Sequence, residues 1–158
     1  MTENRISDLA SVPHFFDTVA DRIWRAWHAP RGATLAHLRE RLSENMGGAP
    51  LPKVFVAHDG PKFLGTISLI ASDLDERPKY TPWAAALWVE PGARRAGVGA
   101  ALLRRAASAA LASRAGDVYL CAQERIRAYY LERGWRLVEM DVGPRRLSIM
   151  RRDSRQEF

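Results

Sequence analysis

An apolar run bounded by two prolines and followed by a glycine-bearing turn constrains the fold more than any other stretch of the chain. Residues 83–90 lie between Pro82 and Pro91 and are mostly apolar, a pattern typical of a strand buried on both faces of a sheet. Apolar residues then recur at helical spacing over residues 97–115, which predicts an amphipathic helix. The segment is therefore predicted to form a central strand, a short turn and a long helix.

Further helices and strands are predicted on either side of this segment. Helices are predicted at residues 13–28, 34–45, 97–115 and 124–133, and strands at residues 4–10, 53–58, 62–71, 83–90, 117–122, 135–140 and 146–150. This order mixes hairpins with strand–helix–strand crossovers, so the sheet is predicted to be mixed. We predict an α/β (α+β) fold with a twisted sheet flanked by helices, and the length suits one domain covering residues 1–158.

The charge balance is basic, with a formal net charge of +6. Such a surplus favours a nucleic acid, an anionic membrane surface or an anionic small molecule as partner. Neither a nucleic-acid-binding motif nor a run of about 18 apolar residues is present, so we expect neither a nucleic acid nor a membrane as partner. For the arginines near the C-terminus, a solvated surface is the simplest interpretation; they are Arg145, Arg146, Arg151, Arg152 and Arg155.

Cysteine and histidine usage narrows the class further. The single cysteine, Cys121, excludes a disulfide within the chain and favours a reducing compartment. The four histidines lack the spacing of metal ligands and have no cysteine partners, so no metal is expected. The N-terminus lacks an arginine-then-apolar signal region, and the expected location is cytoplasmic.

The turn before the long helix has the features of a phosphate site. A helix N-terminus offers unpaired N–H donors and the positive end of the helix dipole, and such termini bind phosphate. Gly97 and Gly99 remove side chains where a phosphate would approach the backbone, and Arg94 and Arg95 add positive charge. The dinucleotide-binding pattern fails because position 102 is Leu, and the Gly-Lys-Ser/Thr of a Walker-type loop is absent.

These residues resemble the GNAT superfamily of N-acetyltransferases. That family carries Arg/Gln-x-x-Gly-x-Gly/Ala after a strand ending in Val-x-Pro, and this chain has Val89-Glu90-Pro91 followed by 94–99. The resemblance implies acetyl-CoA as acyl donor, with its pantetheine arm paired to the strand edge at Leu87 and Val89. The residues implied to hold its pyrophosphate are Arg94, Arg95, Ala96, Gly97, Val98, Gly99 and Ala100. The pair Arg104 and Arg105 also suits the phosphates of coenzyme A.

A second motif lies at the usual distance for the family. Tyr130 precedes Gly134 and Trp135 in the order Tyr-x-x-x-Gly-Trp, where many members have Tyr-x-x-x-Gly-Phe. The resemblance implies that Tyr130 is the general acid that protonates the departing thiolate, a role that a phenol can perform. Gln123 stands where the family often has an Asn that contacts the cofactor, and Tyr129 is expected to belong to the core.

The general base and the acceptor site are less defined. Glu90 lies near the end of the central strand, where a solvated residue entering the turn is an equal alternative, and no base is assigned. Asp73, Asp75 and Glu76 suit attraction of a cationic amine. A covalent route through Cys121 is disfavoured because no histidine is placed to activate it. Trp27 and His28 border the acceptor region in this family, although core packing is the simpler interpretation for both.

The function implied by the resemblance is transfer of an acetyl group from acetyl-CoA to a primary amine of an unidentified acceptor. The alternative is a catalytically silent GNAT-fold regulatory module that binds acyl-CoA. A nucleic-acid-binding domain is a weaker third possibility that only the arginine surface supports. Dimerisation is common in the superfamily, so a homodimer is compatible with the sequence.

Overall fold

The computed structural model describes residues 4–112 and 116–153. These residues form a seven-stranded sheet of order β1-β2-β3-β4-β5-β7-β6. Its strands are β1 (Arg5–Asp8), β2 (Lys53–Asp59), β3 (Lys62–Ile70), β4 (Trp83–Val89), β5 (Asp117–Ala122), β6 (Arg136–Val142) and β7 (Leu147–Asp153). Neighbouring strands are antiparallel except β4 and β5, which are parallel. The prediction of a mixed sheet is confirmed.

Four α-helices accompany the sheet in the described part of the chain. They are α1 (Phe16–Ile23), α2 (Leu35–Ser43), α3 (Val98–Ala112) and α4 (Arg127–Leu131). The predicted helix over 13–28 consists of a 3₁₀ turn, α1 and a π-helical turn at Trp24–His28. The end predicted for α3, residues 113–115, lies outside the described residues, and α4 begins only after a 3₁₀ turn at Glu124–Ile126.

The helices lie on both faces of the sheet because successive strand residues point to opposite sides. In β2, Phe55 packs towards α3, whereas Val54 and Val56 pack towards α1 and α2. Leu102 of α3 is fully buried in the first of these layers. Two packed layers around one continuous sheet confirm the predicted fold class, while the assignment of all 158 residues to one domain stays a prediction. Within the described residues, no helix has the length and apolar character to cross a bilayer.

The strand predicted to be buried on both faces is buried only at its start. Trp83 and Ala84 are buried, but the remainder of β4 is half-buried. The reason is that β5 diverges from β4: the two strands are in register at Trp83 and Tyr119 alone among the described residues. The sequence interpretation was wrong for the second half of β4, and the divergence leaves an opening in the middle of the sheet.

Candidate active site

A bulge in β4 bends this strand at the edge of the opening. Thr66 pairs with Trp88 and Ser68 pairs with Ala85, so β4 has one more residue than β3 between the two pairs. Ala86 lies in this interval with a φ of 52°, a left-handed conformation that is uncommon for alanine. Because a bulge bends and twists its strand, β4 turns away from β5 beyond this point.

The antiparallel pairing fixes which backbone groups of β4 face the opening. The Glu90 N–H donates to the Leu64 carbonyl at 2.9 Å, so the peptide groups of Glu90 point towards β3. Val89, its neighbour, is the partner of Gly65 in a non-hydrogen-bonded pair. Alternation along the strand directs the Val89 N–H and carbonyl away from β3, towards the opening.

The turn after β4 brings a helix N-terminus to the same place. Arg95 and Gly97 have φ values of 64° and 82°, and the second conformation favours glycine because it has no Cβ. The first α3 bond runs from the Ala101 N–H to the Gly97 carbonyl at 3.0 Å. A Cβ built on Gly99 would lie 3.6 Å from Cγ2 of Val89. The donor end of α3 therefore borders the open strand edge and is suited to an anion.

Gly65 of β3 makes this arrangement possible, and sequence reasoning missed it. A Cβ at this position would lie 2.7 Å from the Trp88 carbonyl oxygen and 3.2 Å from Cδ1 of Leu102. Only a residue without a side chain lets β3, β4 and α3 approach so closely. The signal in the sequence was a lone glycine inside a strand pattern, which often marks a close backbone approach.

Tyr130 lies in the core layer of α3, close enough to Cys121 of β5 for the two side chains to interact electrostatically. Its ring is edge-on to Tyr129, with centroids 5.3 Å apart, and to Trp135, with centroids 6.4 Å apart. The side chain is 9% exposed, and burial raises its pKa to about 12, with smaller contributions from Tyr129 and Cys121. The phenol is therefore fully protonated at neutral pH, as a proton donor must be.

Comparison with known proteins decides the family. The family profile described as "Acetyltransferase (GNAT) domain" matches residues 50–137, more than half of the chain. The chain belongs to the GNAT acetyltransferase family. The matched region includes the β4 strand, the turn, α3 and Tyr130, and the resemblance drawn from the sequence motifs is confirmed. No curated protein matches the sequence significantly.

Solved structures of other acyltransferases have the same fold. An acyl-CoA N-acyltransferase from Pseudomonas aeruginosa is 18% identical, covers 96% of this chain and 99% of its own, and has a TM-score of 0.64. The structure of yncA from Salmonella typhimurium with acetyl-CoA is 14% identical in sequence. The match covers 100% of this chain and 96% of the yncA chain, with a TM-score of 0.69. An aminoglycoside 6'-N-acetyltransferase complexed with coenzyme A is 19% identical in sequence. The match covers 94% of this chain and 96% of the other chain, with a TM-score of 0.70.

Several arginines of this GNAT chain are not where the sequence suggested. Arg94 turns back on β4: its Nε donates to the Val89 carbonyl at 2.9 Å, and its guanidinium lies 4.9 Å from the Trp88 ring centroid. The Arg105 guanidinium lies 4.4 Å from the Phe55 ring centroid. The interpretation of the C-terminal arginines as a solvated surface was wrong for Arg152, which is 6% exposed; Arg155 lies outside the described residues.

The two tyrosines of α4 differ from each other in position. Tyr129, expected to belong to the core, is half-buried at the edge of the core layer. Its hydroxyl lies 3.5 Å from the position a Cβ on Gly99 would take, so it reaches the first turn of α3.

Gln123 is exposed at the end of β5, and its side-chain oxygen accepts a hydrogen bond from Arg125 Nε at 2.8 Å. Its contact with a cofactor stays a prediction.

The candidate base Glu90 is held by an ion pair rather than solvated alone. Arg22 Nε of α1 donates to its carboxylate at 2.5 Å, and Arg22 also binds Asp21. This pairing occupies one of the two oxygens of the Glu90 carboxylate. Trp27 packs against the α1–α2 layer, as the simpler interpretation expected. The pKa of His28 is lowered by burial and by nearby positive charges, of which Arg41 is the foremost.

The acidic residues 73, 75 and 76 line a cleft of about 400 Å³. Arg31 from the α1–α2 connection and Arg145 from the β6–β7 turn lie on its walls as well.

One of these acidic residues contacts the single cysteine: Asp73 accepts a hydrogen bond from the Cys121 thiol at 3.3 Å. Asp73 as a whole residue is exposed, but burial of its carboxylate by the surrounding protein atoms raises its pKa. Burial and the Asp73 charge raise the pKa of Cys121 to about 12, so this thiol is a poor nucleophile at neutral pH.

Residues 4–112 and 116–153 contain no group of three or more His, Cys, Asp or Glu side chains arranged to hold a metal ion.

Proposed function

We propose that this GNAT acetyltransferase moves an acetyl group from acetyl-CoA directly to the primary amine of a small or peptidic acceptor. The observation that carries the proposal is the opening between β4 and β5, which joins an unpaired strand edge, a helix N-terminus and a protonated tyrosine. These three features meet the needs of a thioester donor, namely an amide-lined channel, an anion site and an acid for the leaving group.

The donor would lie along the open edge of β4. Leu87 and Val89 would pair with the amide groups of its pantetheine arm, because the Val89 peptide faces the opening. The first turn of α3 would hold the pyrophosphate, through the segment that contains Arg94, Arg95, Ala96, Gly97, Val98, Gly99 and Ala100. Gln123, at the far side of the opening, would make a further polar contact. Arg94 would act chiefly by bracing the Val89 carbonyl.

In the proposed reaction the neutral amine attacks the thioester carbonyl. A C–N bond forms, the C–S bond breaks, and the sulfur leaves as a thiolate that takes a proton from Tyr130. The Val89 N–H would stabilise the oxyanion that forms on the carbonyl oxygen. The nitrogen loses its own proton to solvent, and the Tyr130 phenolate regains a proton from solvent, which restores the acid. No side chain is assigned as base because Glu90 is paired with Arg22.

The acceptor would enter through the cleft that contains Asp73, Asp75 and Glu76, since carboxylates at its mouth attract a cationic amine. Arg31 and Arg145 on the same walls favour an acceptor that also carries a negative group. A homodimer and a cytoplasmic location stay predictions.

The test measures release of coenzyme A, which a thiol reagent detects, in the presence of a panel of amines. The panel contains spermidine, an aminoglycoside, a lysine peptide and free amino acids. Turnover that depends on one amine, together with mass-spectrometric detection of the N-acetyl product, would support the proposal. Saturable binding of acetyl-CoA without turnover on any member of a broad panel would instead support the silent regulatory module.

A further inference from the structure

Three arginines line a second cleft, of about 160 Å³. Arg104 comes from α3, Arg133 from the turn after α4, and Arg152 from β7. The rest of the wall is apolar and is formed by α3 and Trp135. We call this feature the arginine cleft. The reaction proposed above uses none of its three arginines.

The arginine cleft has a concentrated positive charge. None of the described residues that line it carries a carboxylate. Burial lowers the pKa of Arg152, and the charge of Arg104 lowers it further, which shows that the two guanidiniums act on each other. Like charges gathered in this way favour an anion, and guanidinium groups match phosphate oxygens in geometry.

Contacts within the protein hold two of the arginines in place. Arg152 Nη1 donates to the Arg133 carbonyl at 2.6 Å. The Arg133 guanidinium lies 3.5 Å from the Tyr129 ring centroid, and its Nη1 donates to the Tyr129 carbonyl at 2.9 Å. Arg104 is exposed on the surface of α3. The arginine cleft is therefore partly preorganised, with one exposed side chain at its edge.

The arginine cleft adjoins the proposed pyrophosphate site. Ala100, in the first turn of α3, lines the cleft, and Arg104 follows one helical turn later, a rise of about 5.4–6 Å. Tyr129 connects the two places, since its hydroxyl reaches Gly99 while its ring carries Arg133. In coenzyme A a single ribose carries both the pyrophosphate and a 3'-phosphate, so the two anionic groups must bind close together.

We propose that the arginine cleft binds the 3'-phosphate of the coenzyme A ribose, with Arg104 and Arg133 as its direct ligands and Arg152 positioning Arg133. This inference rests on the proposed use of acetyl-CoA. Its consequence is donor selectivity: the protein would distinguish coenzyme A thioesters from 3'-dephospho-coenzyme A thioesters, which share the acyl group, pantetheine and pyrophosphate.

The experiment is calorimetric titration of the full chain with acetyl-CoA and with acetyl-3'-dephospho-CoA. The wild type should bind acetyl-CoA about tenfold more tightly than the dephospho form. Arg104→Gln and Arg133→Gln should each reduce this ratio, and the double variant should bring it close to one. Arg105→Gln is the matched control, because it removes the same charge from the adjacent residue, whose guanidinium lies over Phe55. Melting temperatures of all variants would verify folding.

The outcomes separate this inference from the proposed function. Equal affinities of the wild type for the two donors would overturn the 3'-phosphate assignment and leave the acetyltransferase proposal intact. A loss of selectivity in Arg105→Gln as large as that in Arg104→Gln would also overturn it, since net charge alone would then be responsible. Binding of inorganic phosphate without donor selectivity would assign the arginine cleft to another phosphate. No binding of either donor would contradict both proposals.

Discussion

Replacement of Tyr130 by phenylalanine tests whether its hydroxyl is the general acid of the proposed reaction. The substitution removes the hydroxyl and leaves the ring, whose centroid lies 5.3 Å from Tyr129 and 6.4 Å from Trp135. General acid catalysis contributes about 10²–10⁴-fold to a rate. We therefore expect kcat to fall by at least about 10²-fold, equivalent to roughly 2.7 kcal/mol of transition-state stabilisation at about 1.36 kcal/mol per decade.

Binding and folding should change much less than kcat in Tyr130→Phe. The donor contacts proposed along β4 and α3 do not involve the hydroxyl, so the Kd for acetyl-CoA should stay within about threefold, a difference of roughly 0.7 kcal/mol. The free energy of unfolding should change by less than about 1.5 kcal/mol, the usual contribution of one hydrogen bond. The assay is single-turnover release of coenzyme A at saturating donor, alongside calorimetric binding.

Tyr129→Phe is the matched control for this prediction. It removes the same group from the adjacent residue, whose hydroxyl points to Gly99 at the start of α3. We expect kcat to be reduced less than about fivefold in this variant. The reasoning would be refuted if Tyr130→Phe kept wild-type kcat at saturating substrate, or if the control lost as much activity as the Tyr130 variant.

Three further predictions concern stability and titration. Gly65→Ala should lower the free energy of unfolding by about 1–3 kcal/mol in urea titrations, because its methyl group would meet a backbone oxygen at 2.7 Å; an unchanged midpoint would contradict the close packing. Cys121 and Tyr130 have pKa values raised to about 12 in the folded protein, from ordinary values of 9.0 and 10.0. The folded state favours their protonated forms, so their contribution to the free energy of unfolding is complete below those ordinary values and is lost as pH rises towards 12. Melting temperature should fall across that range, and less so in Cys121→Ala. The pKa of Glu139 is lowered to about 2 by the hydrogen bond from Arg77, and NMR titration of Arg77→Ala should show it rising towards 4.5.

Local patterns were sufficient to predict the order of the elements and the family. The period of apolar residues changes along the chain, and Gly and Pro mark the turns, so strands and helices were found with small errors at their ends. The turn at 94–99 and the Tyr130 motif depend on short stretches of sequence whose structure is determined locally. The anion site and the candidate acid predicted from these features stay predictions.

The features that the sequence did not reveal depend on contacts between distant residues. The divergence of β5 from β4 follows from the bulge at Ala86, which the run of alanines concealed. The burial of Arg152 depends on a carbonyl 19 positions away in sequence, and the ion pair of Glu90 depends on Arg22, 68 positions away. Such partners are known only once the chain is folded, because spacing along the sequence carries no information about them.

The central claim is that the chain binds acetyl-CoA in the opening between β4 and β5, and calorimetric titration of the purified full chain with acetyl-CoA at two salt concentrations tests it most directly. The account predicts saturable one-to-one binding that weakens as salt is added, since positive charge and a helix N-terminus hold the phosphates. Absence of binding at high micromolar acetyl-CoA would contradict the account.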